Sequence, residues 1–149
     1  MKKKGFTIIE LVVVIAIIAV LAGIVLVNII SYQVKAKNAA IEEQVGSLPI
    51  AAASDVADNG GLTDAEGNSL CYQSDVINII NKIDDITNIS PTCNTDSSNN
   101  WCFCSSIFKL FSSGNYSYCV DSTGFRGEIN DICTKYCVNG DPSLITCGE

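Results

Sequence analysis

Two groups of residues in this chain are placed to do chemistry. The first is a lone carboxylate, Glu10, at the mouth of an uncharged apolar run from Leu11 to Val27. A charge at membrane depth costs on the order of 2.5–3.5 kcal/mol on insertion scales and as a rule is paired or functional. Glu10 therefore asks for a cationic partner. The second group is eight cysteines, Cys71, Cys93, Cys102, Cys104, Cys119, Cys133, Cys137 and Cys147, all beyond the apolar run. An even number of cysteines in a small exported domain is the pattern of a disulfide framework. Eight cysteines allow 105 connectivities, and spacing alone selects none of them. The competing use is zinc, through Cys102-x-Cys104 and Cys133-x3-Cys137. With no histidine in the chain such a site would be all-cysteine, and neither spacing is the usual C-x2-C knuckle, so no metal is expected.

The elements around Glu10 must carry it into a bilayer. Lys2, Lys3 and Lys4 precede the apolar run and hold the N-terminus on the cytoplasmic side. The run rises about 26 Å as a helix, close to the hydrocarbon thickness. The segment Lys4-Gly5-Phe6-Thr7-Ile8-Ile9-Glu10-Leu11-Val12-Val13-Val14-Ile15 resembles the class III signal of type IV pilins and of the pilin-like subunits (pseudopilins) of type II secretion systems. The resemblance implies cleavage after Gly5 by a prepilin peptidase and N-methylation of the new terminal residue, Phe6. It implies that Glu10 is the assembly carboxylate, neutralising the freed amine of Phe6 on a neighbouring subunit. The implied partners are identical or related pilin subunits, the peptidase, the membrane before assembly and the assembly platform proteins. Other readings of the same segment explain less. A secretory signal cut near Val20-Leu21-Ala22 leaves Glu10 and the continued apolar sequence unaccounted for. A plain signal anchor does not explain Gly5-Phe6, and a lipoprotein is excluded because the first cysteine is Cys71.

Composition narrows the partners. The 149 residues hold 9 basic and 16 acidic side chains, a net charge of −7. Loss of Lys2, Lys3 and Lys4 would leave 6 basic against 16 acidic groups, or −10. Such a surface keeps an exported domain soluble and argues against direct nucleic-acid binding. The aromatic residues Trp101, Phe103, Phe108, Phe111, Tyr116 and Tyr118 have only Lys109 and Arg126 near them in the sequence, so they read as sheet and core. The absence of histidine removes the usual general base. No phosphate-binding glycine loop or Gly-x-Ser-x-Gly is present. The chain is expected to be a structural protein, not an enzyme, with no cofactor.

The remaining sequence predicts an α+β fold. A long helix runs from Leu11 to about Val45, with Gly23 its one weak point; the proline that many of the resembling proteins carry there is missing. Past Asn28 the helix turns amphipathic, with Val34, Ile41, Val45 and Leu48 on one side. Gly46 and Pro49 predict a kink or break near Ser47, and Ile50 to Asp58 resumes the helix until Asn59-Gly60-Gly61. Residues 59–73 read as a loop around Asp64-Ala-Glu-Gly-Asn68, whose carboxylates lack EF-hand spacing. A short helix from Asp75 to Asp84 carries Val76, Ile79, Ile80 and Ile83 at i, i+3, i+4 and i+7, with Ser74 as its cap. Residues 87–100 read as a polar loop. Strands follow at Trp101 to Phe111 and Tyr116 to Asp121, joined by Ser112-Ser-Gly114-Asn115, with a third from Phe125 to Cys133 after the turn Asp121-Ser-Thr-Gly124. The tail around Asn139-Gly-Asp-Pro142 is expected to be tied down by disulfides.

Three segments are expected: a leader, residues 1–5; a transmembrane and assembly helix, residues 6–30; and a globular head, residues 31–149, that includes the amphipathic half of the helix. The head is expected to place that half against a small antiparallel sheet with a disulfide-rich C-terminal region. The expected function is a structural subunit of a type IV pilus-like filament, made as a single-pass inner-membrane precursor with its head outside the cytoplasm. It would then pass into a filament at the surface or across the periplasm. The alternatives are a minor pilin or pseudopilin that binds or sits at a tip, and a secreted disulfide-rich domain.

Overall fold

A computed structural model describes residues 5–62, 70–96, 98–110, 114–137 and 146–147, apart from the side chains of Val27 and Asn59. The leader lysines, the loop at residues 64–68, the turn residues 112–113 and the tail loop at residues 139–142 lie outside the described residues. The chain divides into two compact units, Met1–Lys35 and Ala36–Glu149. The expected α+β architecture is present: a long N-terminal helix, a four-stranded antiparallel sheet and four disulfides.

The first unit is helical. Helix α1 (Ile8–Gly46) is 39 residues, about 58 Å long. It contains an 18-residue window of mean hydropathy 3.2, long and apolar enough to cross a membrane. Among the described residues, its large apolar side chains from Ile8 to Ile30 are exposed, Val14 at 46 % and Ile8 at 83 % for example.

In the second unit α1 ends where expected. Pro49 sits in the first turn of α2 (Leu48–Asn59), where its missing N–H costs nothing, and Ser47 makes the break between the helices. Ser47 donates its hydroxyl to the Gln44 carbonyl at 2.7 Å. The apolar stripe carries on through the break: Ile41, Val45, Leu48 and Ala52 are all buried. Gly46 is small for a reason that lies across the fold. The guanidinium of Arg126 occupies the space a Cβ on Gly46 would take, so a cation lies at the C-terminal end of α1, where the helix dipole favours one. Its Nε also donates to the Tyr118 hydroxyl at 3.1 Å. Helix α2 ends at Gly60, whose φ of 75° needs glycine, and whose N–H caps the Val56 carbonyl.

Helix α3 (Ser74–Thr87) is longer than expected and starts one residue earlier. Gln73 is the N-cap and Ser74 is already helical; no side chain caps that end. Gln73 instead directs its amide to Asp55 Oδ1 at 3.2 Å. At the other end Asn88 takes the left-handed conformation that asparagine tolerates. Val76, Ile79 and Ile83 are buried and Ile80 is partly so, as the spacing predicted for a core face. The expected loop at residues 59–73 contains a 3-10 turn, Leu70–Tyr72, which buries Leu70.

The sheet is a meander of β1 (Thr92–Thr95), β2 (Trp101–Ser106), β3 (Ser117–Asp121) and β4 (Arg126–Ile129), in that spatial order. Strand β1 corrects the expected polar loop. Its four residues, Thr-Cys-Asn-Thr, hold no apolar alternation, and pairing with β2 makes them a strand. The strands β2 and β4 are shorter than expected. Strands β2 and β3 are buried on both faces. Trp101, Phe103, Tyr118 and Val120 pack with the helices, while Cys102, Cys104, Cys119 and Ile129 form a second cluster with Cys137 and Cys147. The alternation in β3 is therefore real, but its second face is covered by disulfides instead of solvent.

Two carboxylates organise the turns. Asp121 accepts from the N–H groups of Thr123 and Phe125 and from the Thr123 hydroxyl through Oδ1, and from the Cys147 N–H through Oδ2 at 2.7 Å. Asp96 closes the β1–β2 hairpin, accepting the N–H groups of Ser98 and Asn100 and the Asn100 amide, each at 2.8 Å. The Asn100 side chain and backbone, and then Ser98, hold the Asp96 carboxyl below its usual value.

A Gly46→Ala variant is expected to lose about 1 kcal/mol of stability because Arg126 must give way. In an Arg126→Ala background the same change should be close to neutral, a coupling that urea titration of the four variants measures. Asp96 has a depressed folded pKa, so its stabilising effect is present above the ordinary carboxylate value of about 3.9 and is lost as the pH falls below it. Thermal melts from about pH 5 down to pH 2 should show a smaller acid loss for Asp96→Ala than for the parent chain.

Candidate functional site

The residues singled out at the N-terminus converge on one turn of backbone. Gly5, Phe6 and Thr7 are non-helical and exposed, and α1 begins at Ile8. The Gly5–Phe6 bond thus lies outside the helix, with open space around the position a Gly5 Cβ would take. Phe6 is 77 % exposed.

Glu10 is the third helical residue and turns back on the chain. Its Oε2 accepts the Thr7 backbone N–H at 2.9 Å and the Thr7 hydroxyl at 2.8 Å. In return the Glu10 N–H donates to Thr7 Oγ1 at 3.3 Å. This is a capping box: Thr7 is the N-cap, Glu10 the acid three residues on, and orphan donors of the first turn are satisfied reciprocally. The negative charge also lies at the positive end of the helix dipole. Thr7 is the residue the sequence reading missed. Its signal was present in Thr7-x-x-Glu10 ahead of an apolar run, a pattern that marks a helix start.

The box satisfies hydrogen bonds but leaves the net charge in place. Neither partner atom on Thr7 is a cation. Thr7 thus offers Glu10 hydrogen bonds and no positive charge, and one carboxylate oxygen, Oε2, takes both Thr7 bonds.

The cysteines belong to the second unit. They form four bonds: Cys71–Cys93, Cys102–Cys137, Cys104–Cys133 and Cys119–Cys147, with Cα separations of 5.4–5.8 Å. All are engaged with one another, including the four that had suggested zinc. On the chain-entropy account, loops of this length contribute about 3–4 kcal/mol each, with sums not additive. The head also has an open groove of about 610 Å³ between α2 and the β3–β4 turn, lined by Pro49, Val56, Trp101, Phe125 and Arg126. The carboxylate on its wall, Asp121, already accepts four hydrogen bonds and is a turn anchor, not a base.

Residues 1–26 match the model of the prokaryotic N-terminal methylation motif. That motif is the class III prepilin signal of type IV pilins and pseudopilins. No curated protein and no solved structure matches the chain. The motif supports a pilin-type precursor, and with the apolar helix it fits a membrane-anchored one.

Replacing Thr7 by valine keeps the shape and removes the hydroxyl. The expected loss is about 1 kcal/mol of local helix stability, so amides of the first turn should exchange roughly fivefold faster in micelles. Thr7→Ser should exchange at the parent rate. Equal protection in all three chains would show that the box does not hold the helix start.

Proposed function

We propose that this chain is the structural subunit of a type IV pilus-like filament. It is inserted as an inner-membrane precursor with its head outside the cytoplasm, cut after Gly5, methylated on Phe6 and polymerised through α1. The observation that carries the reading is a carboxylate fixed in the first turn of an apolar helix, four residues beyond a non-helical, exposed Gly5–Phe6 bond within a matched prepilin signal.

The chemistry follows in two steps. A peptidase reaches the non-helical, exposed Gly5–Phe6 segment without unwinding α1. No described residue crowds Gly5, so the demand for glycine there belongs to the peptidase. Cleavage then creates a protonated amine on Phe6, and methylation leaves that charge in place. The amine of one subunit and Glu10 of its neighbour neutralise each other as the helices pack, which removes two unpaired charges from an apolar setting at once. Packing of the helices supplies the cover that the exposed side chains of Ile8 to Ile30 lack. The peptidase, the assembly platform and further pilin subunits are the partners of this sequence of events. The disulfide-tied head forms the outer surface of the filament. A catalytic role is not part of the reading.

Two variants separate charge from capping. Glu10→Gln retains a capping-box acceptor and loses the charge; Glu10→Ala loses both. Both should still insert and be cleaved, and both should lower filament yield by more than about tenfold, as expected for a charge left unpaired. A normal yield from Glu10→Gln would overturn the charge pair and leave capping as the role of Glu10. The intact mass of the chain in sheared filaments should begin at Phe6 and carry one methyl group. A chain starting near Gly23 and free in the medium would defeat the filament reading altogether.

A further inference from the structure

Three of the four disulfides join cysteines that do not follow one another in the sequence. Cys71–Cys93 is the one consecutive pair. Cys104–Cys133 is nested inside Cys102–Cys137, and Cys119–Cys147 crosses both. Synthesis and export deliver the cysteines in chain order, N-terminal first. An oxidant that joins cysteines as they arrive makes Cys71–Cys93 correctly. It then meets Cys102, Cys104 and Cys119 before any of their native partners.

The sheet makes that order hazardous. Cys104 and Cys119 are direct cross-strand partners in the β2–β3 ladder, and both belong to the same outer-face cluster. Opposed residues in an antiparallel ladder have Cα atoms about 4.5–5.5 Å apart. That lies inside the range of roughly 4.4–6.8 Å that a disulfide accepts. The hairpin therefore holds a wrong pair within bonding reach until Cys133 and Cys147 arrive. With Cys71–Cys93 made, the other six cysteines have 15 connectivities, so unguided closure reaches the native set about once in 15.

We propose that the head is a substrate of a thiol–disulfide isomerase, whose main task is to open a Cys104–Cys119 bond. Each native bond forms when two thiols give up two electrons and two protons to a disulfide-form oxidant, which becomes a dithiol. The isomerase step itself is redox-neutral. Its thiolate attacks Cys104 Sγ, forms a mixed disulfide and releases Cys119 as thiolate. The Cys133 thiolate then attacks Cys104 Sγ, making Cys104–Cys133 and returning the catalytic thiolate. Cys119 is left to pair with Cys147 by the oxidant. The inference rests on delivery of the head, N-terminal first, into an oxidising compartment. It does not need filament assembly, so its test and the Glu10 test fail separately.

The test uses the full chain, reduced and unfolded, then returned to detergent micelles; there the shorter Cys104–Cys119 loop closes ahead of native loops of 35, 29 and 28 residues, so the same wrong pair is favoured. One sample receives a disulfide oxidant without free thiol; the other receives the same oxidant and reduced protein disulfide isomerase. Peptide mass spectrometry without reduction maps the bonds. The oxidant alone should give Cys71–Cys93, with Cys104–Cys119 as the chief other product and the native set below the roughly one part in 15 of random pairing. The isomerase should raise the native share several-fold. Native pairs formed as fast and as fully by oxidant alone would overturn the proposal, and so would wrong pairs that persist with the isomerase. A Cys104→Ser, Cys133→Ser chain lacks the cross-strand pair and should depend less on the isomerase. An undiminished dependence would rule out that pair as the obstacle.

Discussion

The rest of this molecule depends on an apolar helical surface that the chain does not bury. From Ile8 to Ile30 the large apolar side chains of α1 stand exposed, on every side of the helix. Water disfavours such a surface in proportion to its area. That division sets the work of the second unit. It must fold and stay soluble on its own resources, from a little over a hundred residues, a size at which one apolar core gives limited stability. The sheet answers with two cores, one made with the helices and one made largely of sulfur.

The second core explains an oddity of composition. Buried faces of sheets are ordinarily filled by branched and aromatic side chains. Here Cys102, Cys104 and Cys119 occupy that face and are bonded to Cys137, Cys133 and Cys147 of the C-terminal segment. The tail is held by covalent bonds and by Asp121, which ties the Cys147 backbone to the β3–β4 turn. On the helix side, Asn38 does comparable work without a bond. Its side-chain amide donates to the Phe108 carbonyl at 2.7 Å and accepts the Phe108 N–H at 2.9 Å, pairing with the connection after β2 much as a peptide group would. Lys37 Nζ lies 5.1 Å from the centre of the Phe108 ring beside it.

Much of this was legible because it is local. The apolar run, the Pro49 break, the 3.6-residue stripe of α3 and the alternation of β3 are each written within a dozen residues. What escaped is non-local or polar. Strand β1 has no apolar pattern and exists because β2 lies beside it. Arg126 meets Gly46 from eighty positions away, and no spacing rule connects them. The cysteine pairs follow from strand register, which sequence spacing does not contain. Thr7 is different: its pattern with Glu10 is local and was readable. Glu10 serves there both as a charge and as the acid of a helix cap.

The bond that joins Cys102 to Cys137 has a mechanical meaning. A subunit under tension yields by paying out chain, at roughly 3.3–3.6 Å per residue. A disulfide gives the force a short cut, and the loop it closes never extends. The separation of 35 residues at Cys102–Cys137 withholds about 120 Å of contour length, and the 22 at Cys71–Cys93 about 75 Å more. A head that loses its non-covalent packing under load would therefore lengthen by only part of its chain, with β2, β3 and α3 still tethered within closed loops.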